Sequence, residues 1–529
     1  MGRSILPALH PEVIMNRKII ALFLALALAC ILLTGCGNTQ DGAPAAAPAE
    51  TGEPFAVVDN DRDFSALRTP GSQEEAYGYK IFFRPGIDGI SQPYVGDTMP
   101  YYENGTYYIY YLKEGGDSYN HSIYLATTKD FVDYTEYDAP ILESSRSGGQ
   151  DGWAGTGSLV KVRDDYYFFY TGHASADTYE YMEKIMVAKG KSPESFEKVE
   201  GWAITPPAEL GQKRDFRDPQ AYYDAETDTI LMTVTASQGG TARILKYTLS
   251  ADLKEITYDG IIFTNTVGNF WNLECSDTFK IGDKYYLTYS AQDDTLWYAV
   301  SDTPYGPYGE AKRLDGKLFY AAKHVESPEG SYMVGWIRRS ESPSSTSEVS
   351  GWAGNLAVQQ LAQKENGDLV LVPVKAVEAQ YGKRRHLAIE EDRIEVRAGA
   401  RYSYTDVFTA YESFMLKGKL TWTGKGSFGL AFDFNGKDDK TKIVCLNPAE
   451  QKLQLLFNEG STVIAETAVP LETGKEYGFT YIQEGSAGIF WLDGEASLAV
   501  RLYGASGKTV RLFAESNSVT LTELREYTP

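Results

Sequence analysis

One motif, returning every roughly 50–60 residues between about positions 76 and 375, constrains this chain more than any other feature. "NGTYYIYYL" (104–112) comes back loosely as "RDDYYFFYTG" (163–172), "ETDTILMTVTA" (226–236), "IGDKYYLTYSA" (281–291) and "PEGSYMVGWI" (328–337). Each copy is a turn of Asp, Gly or Asn leading into an aromatic or β-branched run, the chemistry of a half-buried strand. Each is then followed by a further strand, such as "SIYLATTKDF" or "TLWYAVSDTPYGPY". Long amphipathic helical patterns are missing from this span. The period is that of a four-stranded blade, and five blades fit, so the expected fold is all-β with a five-bladed propeller over 76–375. A β-sandwich would not repeat on this period. From 386 to 529 the texture changes to short strands with frequent turns, among them "FMLKGKLTW", "GSFGLAFDF" and "GIFWLDG". That is the pattern of a C-terminal β-sandwich.

The propeller reading gives the acids a common address. About ten residues before each tyrosine strand lies the segment expected to be innermost in its blade. In order these are "VGDTMP", "WAGTGS", "DFRDPQ", "NLECSD" and "LFYAAK". Innermost strands line one channel, so Asp97, Asp218 and Glu274 converge from far apart in sequence, and Arg217 comes with them. Carboxylates held close together push one pKa upward, and a pair flanking a glycosidic bond is the equipment of glycoside hydrolysis. Singly these residues have plainer readings. "RDP" alone can be an Asp–Pro turn, Cys275 a small buried hydrophobe, and Trp153 and Trp271 core.

Other chemistries find little support. After the first 36 residues only Cys275 and Cys445 remain, too far apart in sequence to suggest a disulfide framework or a metal site. The five histidines are scattered, and no HExxH, GxSxG or Walker pattern occurs. No metal and no cofactor are expected. The formal net charge of −22 disfavours nucleic acid and anionic lipid surfaces, and a neutral substrate is the easier fit.

The N-terminus reads as an export signal over 1–35. Arg17 and Lys18 precede the apolar run Ile19 to Leu33, which is short for a membrane span, and "LTGC" closes it. The pattern resembles a bacterial lipobox with Cys36 as the lipidated residue, and Met15 opens a better charged region than Met1. An ordinary membrane anchor is the other reading. Residues 36–75, rich in Ala, Pro, Glu and Gly, read as a flexible tether. The expected location is the outer face of a bacterial cell membrane, held by the lipid on Cys36.

With these residues in view, the chain resembles glycoside hydrolase family 32, the β-fructosidases that include invertases, levanases and inulinases. Its marks are an Asn-Asp-Pro segment, Arg-Asp-Pro and Glu-Cys, and "GDTMP", "FRDPQ" and "ECSD" stand here in that order. "WAGTGS" looks like the family's Trp-x-Ser-Gly-Ser. The resemblance covers about residues 76–529 and implies a propeller followed by a sandwich. It implies Asp97 as nucleophile, Glu274 as acid/base, and Asp218 as the stabiliser of the transition state. It also implies substrate contacts from Arg217, Trp153, Ser158 and Trp271. There are departures. The family's Asn before the nucleophile is Gly96, the Pro after it is Thr98, and the glutamine after the first tyrosine strand is replaced around Leu112. The expected reaction is release of fructose from sucrose, levan or inulin-type fructans with retention. Alternatives are a five-bladed hydrolase of arabinose- or xylose-containing glycans, and a surface lipoprotein that binds glycan without cleaving it.

Overall fold

The computed structural model describes residues 78–86, 93–114, 121–145, 148–174, 179–339, 352–387, 393–399, 402–432, 441–457 and 462–529. The proposed signal, the tether and Cys36 lie outside the described residues.

The aromatic repeat becomes five successive four-stranded antiparallel meanders. Meander I is β1 (Tyr94–Glu103), β2 (Thr106–Glu114), β3 (Ile123–Thr128) and β4 (Tyr134–Glu136). Meander II is β5 (Trp153–Val162), β6 (Asp165–His173), β7 (Glu183–Ser192) and β8 (Ser195–Lys198). Meander III is β9 (Phe216–Asp224), β10 (Thr229–Gln238), β11 (Thr241–Ser250) and β12 (Ile256–Thr264). Meander IV is β13 (Leu273–Ile281), β14 (Lys284–Ala291), β15 (Leu296–Ser301) and β16 (Lys312–Arg313). Meander V is β17 (Phe319–Ser327), β18 (Gly330–Arg338), β19 (Gly354–Gln363) and β20 (Leu369–Val372). The five tyrosine runs are the second strands. The five segments bearing the candidate acids and their equivalents lie on the first strands.

Those first strands touch in a cycle: β1 against β5, β5 against β9, β9 against β13, β13 against β17, and β17 against β1. A bridge between Val95 and Gly354 also joins meander V to meander I in one sheet. Between neighbouring meanders lie separate apolar layers. Met99, Tyr110 and Leu125 meet Phe168 and Tyr170 between I and II. Val187 and Phe169 meet Met232 and Leu245 between II and III, and Ile244 and Phe263 meet Leu287 and Tyr289 between III and IV. Tyrosine suits these layers because its ring fills apolar space while its hydroxyl finds a partner at the edge. Tyr170 donates to Asp151 Oδ2 at 3.0 Å and Tyr286 to the Gly367 carbonyl at 2.8 Å.

After β20 comes α1 (Lys375–Ala379), and the remaining strands form two antiparallel sheets. Their apolar faces meet through contacts such as Phe432 with Tyr481, ring centroids 6.0 Å apart. The buried Asp315 carboxylate ties this part to meanders IV and V. It accepts from Ser497 Oγ at 2.6 Å, from the Ala499 amide at 3.2 Å and from Gln359 Nε2 at 3.3 Å.

Candidate active site

What aims the acids is a fault in pairing that the repeat itself does not reveal. Each first strand carries a β-bulge at the same level. The unpaired residues are Asp97 in β1, Thr156 in β5, Asp218 and Pro219 in β9, Cys275 and Ser276 in β13, and Ala321 and Ala322 in β17. A bulge frees a residue from the ladder, bends its strand and re-aims the side chain. Asp218 (φ 58°), Cys275 (φ 52°) and Ala321 (φ 50°) sit in the left-handed region, an uncommon place for residues with a Cβ.

At this level β1, β5, β9 and β13 line a cavity of about 700 Å³. Asp97, Asp218 and Glu274 line it together, with Arg217 and Trp153. Asp97 accepts from Thr156 Oγ1 at 2.8 Å on one oxygen and from Trp336 Nε1 at 3.4 Å on the other. Asp218 is 3 % exposed, and its Oδ2 accepts from the Cys275 amide at 2.7 Å. Its own amide donates to Thr171 Oγ1 at 2.9 Å, so backbone and side chain are both fixed. Glu274 is held from both sides: Arg217 Nη2 lies 3.1 Å from Oε1, and the Tyr320 hydroxyl donates to Oε2 at 2.5 Å.

Burial sets the electrostatics, and the acids add to it. Burial pushes the Asp218 carboxyl up to about 7, helped by Glu274 and Asp97 and opposed by Arg217 and the Cys275 amide. Asp97 is also raised, by burial first and then by Glu274, against hydrogen bonds from Thr156 and Trp336. Arg217 is clamped by Glu183 at 2.7 Å, Glu274 at 3.1 Å and Asp215 at 3.5 Å. Burial alone would raise Glu183. His173, Arg217 and the Phe216 amide instead hold it down to about 2.

The remaining expected contacts separate. Trp153 is 41 % exposed and lines the cavity, its ring edge-on to His121. Trp271 is equally exposed and lies beside Arg217, whose guanidinium stands 5.4 Å from its ring centroid. Ser158 is not brought to the cavity. Its hydroxyl donates to the Pro219 carbonyl and accepts from the Ala221 amide, both at 2.9 Å, and so ties β5 to β9. Two residues earlier in the same segment, Thr156 makes the contact to Asp97 that the spacing did not single out. Glu183, Trp336, Tyr320, His121 and Trp352 were also missed. Each reaches the site from a different strand or loop; Tyr320 lies in "LFYAAK" and Trp336 in "PEGSYMVGWI", but nothing within those runs singles out either side chain.

The departures have structural partners. The Trp352 indole lies where a side chain at Gly96 would stand, and His121 stacks on that indole at 4.4 Å. Thr98 turns away, donating to the Val334 carbonyl at 2.6 Å. Leu112 gives the cavity an apolar wall. Cys275 is buried, its thiol pushed up by burial, and it serves through its backbone amide.

The chain has relatives among known proteins. The chain is 27 % identical over 405 residues to the sucrose-6-phosphate hydrolase of Escherichia coli, covering 72 % of this chain and 80 % of that protein. It is 23 % identical over 311 residues to the raffinose invertase of Escherichia coli, covering 54 % and 63 %. Among solved structures, sucrose-6-phosphate hydrolase from Lactobacillus gasseri superposes with a TM-score of 0.65 at 18 % identity, covering 87 % of this chain and 94 % of that one. The exo-inulinase of Aspergillus awamori gives 0.66 at 16 %, covering 85 % and 97 %. The model of the glycosyl hydrolases family 32 N-terminal domain matches residues 97–373, more than half of the chain. The protein therefore belongs to glycosyl hydrolase family 32 and is a glycoside hydrolase of the β-fructosidase type.

Proposed function

We propose that this chain is a retaining hydrolase releasing fructose from neutral β-fructofuranosides such as sucrose, levan or inulin-type fructans. We propose with it a five-bladed propeller over about 76–375, a β-sandwich over 386–529, and an exported chain tethered through 36–75 to a lipid on Cys36. The cyclic contact of the five first strands supports the blade number. The observation that carries the function is the meeting of Asp97, Asp218 and Glu274, from three separate strands, in one cavity.

In this reading Asp97 attacks the anomeric carbon of the fructosyl unit. Thr156 and Trp336 hold its two oxygens, and the attack forms a carboxylate ester as the glycosidic bond breaks. Glu274 gives a proton to the departing oxygen, then takes one from the water that opens the ester. Arg217 and Tyr320 fix the direction in which that carboxyl points. Asp218 grips sugar hydroxyls as positive charge develops on the ring.

Charge favours an unphosphorylated substrate. Asp97, Glu114, Glu183, Asp218 and Glu274 all line the cavity, while the one arginine among its described lining residues, Arg217, is already shared among acids. A phosphate there would face net repulsion.

The test is to incubate the soluble chain 37–529 with sucrose, inulin, levan and arabinan, beside its Asp97→Asn variant. Fructose release, falling by about 10⁴-fold or more in the variant while binding persists, is expected. Sugar released from arabinan alone would favour the hydrolase of arabinose-containing glycans. A parent chain that binds fructan and never cleaves it would leave only the binding lipoprotein.

A further inference from the structure

The five first strands open a second cavity, about 550 Å³, that the proposed chemistry does not use. The active-site cavity is lined by early positions on these strands: Asp97, Thr156, Asp218 and Glu274. The second is lined by later ones, including Tyr101, Val160, Tyr222, Phe279 and His324. Strands advance about 3.3 Å per residue, so the two cavities lie at opposite ends of the cycle of first strands.

We propose that this second mouth is a non-catalytic binding site for a neutral oligosaccharide. Its walls are rings carrying hydroxyls: Tyr101, Tyr223, Tyr285, Tyr305 and Tyr308 all line it. Aromatic faces meet the C–H faces of sugars while hydroxyls at their edges meet sugar hydroxyls. Hydrogen-bonding capacity is left over. His324 is 9 % exposed, and its ring lines the cavity, stacked on Phe279 at 3.9 Å. Its Nε2 and the Tyr308 hydroxyl have no hydrogen-bond partner among the described residues and are shut off from solvent, so a sugar in the cavity reaches them only by a small shift of these rings. Burial holds the His324 imidazole down to about 3, so the ring stays neutral and offers one donor and one acceptor.

The floor is rigid. Asp277 is fully buried and accepts from the Tyr222 hydroxyl on one oxygen and from the His324 amide, at 2.9 Å, on the other. The cations at the rim are engaged, Lys161 with Glu103 at 2.6 Å and Lys280 over the Tyr285 ring. An anion would find no open arginine among the lining residues, whereas a neutral polyhydroxylated ligand needs none. Two sugar sites on one body would hold a polymer near the acids by raising its effective concentration.

Calorimetric titration of the Asp97→Asn chain with a fructo-oligosaccharide, and separately with an arabino-oligosaccharide, tests this without turnover. One of the two probes is expected to bind at about two sites per chain. In a His324→Phe/Tyr285→Ala background one class should weaken about tenfold or vanish while the other is retained. The single Tyr285→Ala variant, at the half-exposed rim, repeats the test should the double variant unfold. A stoichiometry of one with both probes would overturn the proposal, as would two classes untouched by either variant. Failure of the fructosidase reading shows separately, as a parent chain that releases no fructose.

Discussion

Gly96→Ala is the smallest change that should disable this site. The backbone at 96 is not in the left-handed region, so alanine can adopt it and any effect must come from space. An added Cβ would stand 2.1 Å from Trp352 Cη2, 2.4 Å from Cζ2 and 2.7 Å from Cζ3. Carbon atoms rest about 3.5–4.0 Å apart, so the indole must withdraw by roughly 1.5 Å. It has little room. His121 is stacked on it at 4.4 Å and is itself held by Glu114 at 3.4 Å and by the edge of Trp153, while Trp336 stands 6.1 Å away. Forced overpacking of this kind costs about 1–3 kcal/mol. The strain falls on the residue next to Asp97, where a displacement of about 1 Å can cost 10²-fold in rate. Steady-state hydrolysis of sucrose, or of whichever fructan proves to be cleaved, should show kcat/KM down by about 10²-fold, and the melting temperature should fall. Trp352→Leu in the Gly96→Ala background should return the melting temperature toward that of Trp352→Leu alone, because the clashing atoms are gone. A Gly96→Ala chain with parental kcat/KM and melting temperature would refute the packing argument, as would a double variant no more stable than Gly96→Ala.

Two acids give opposite pH signatures. Asp218 is raised on folding from 3.8 to about 7, so its contribution is fully present below pH 3.8 and is lost as pH rises through 7. Thermal melts of Asp218→Asn should therefore improve relative to the parent from pH 4 to pH 8, with a ceiling of about 4 kcal/mol. A pH-independent difference would contradict this. Glu183 is lowered from 4.5 to about 2, so its contribution is present above pH 4.5 and lost as pH falls toward 2. Glu183→Gln should be less stable than the parent by up to about 3 kcal/mol at pH 7, and the gap should close below pH 4. A gap undiminished at pH 2.5 would show that Glu183 acts through shape and not charge.

The strands were legible because alternating tyrosine and β-branched runs can bury one face only as strands, and the turns between them are short and polar. "VGDTMP", "FRDPQ" and "NLECSD" were legible as a set because each sits the same distance ahead of such a run. The bulges were not legible. "WAGTGS" carries glycines that hint at an irregular strand, but "ECSD" and "FYAAK" carry none, and Cys275 and Ala321 take left-handed backbone without glycine. Ser158 shows the consequence. Counting along a regular strand gives it a face, but the bulge at Thr156 shifts the register, and Ser158 is spent on the backbone of β9. Trp352 and His121 come from segments outside the aromatic repeat, so only the closed structure pairs them with Gly96.

The bulges also explain how one set of strands can serve two mouths. A regular strand alternates strictly, and a slip of one residue moves every later side chain to the other face. In β1 that slip falls at Asp97, and in β5 at Thr156. In β9, β13 and β17 two residues are left unpaired at the same level. At this level the strands present Asp97 and Asp218, and just before it Glu274. Downstream they present the rings of Tyr101, Tyr222 and Phe279. Between the two, buried Lys323 donates to the Gly157 carbonyl at 2.9 Å, and Asp277 holds Tyr222 and the His324 amide. This polar layer gives the bulged backbones partners away from water, where an unpaired group is costly. The bulges aim the acids, and the layer beneath them keeps that backbone from relaxing to a regular ladder. Substitutions that loosen Lys323 or Asp277 should therefore disturb both cavities together, whereas changes at Tyr285 or Gly96 should be felt at one mouth alone.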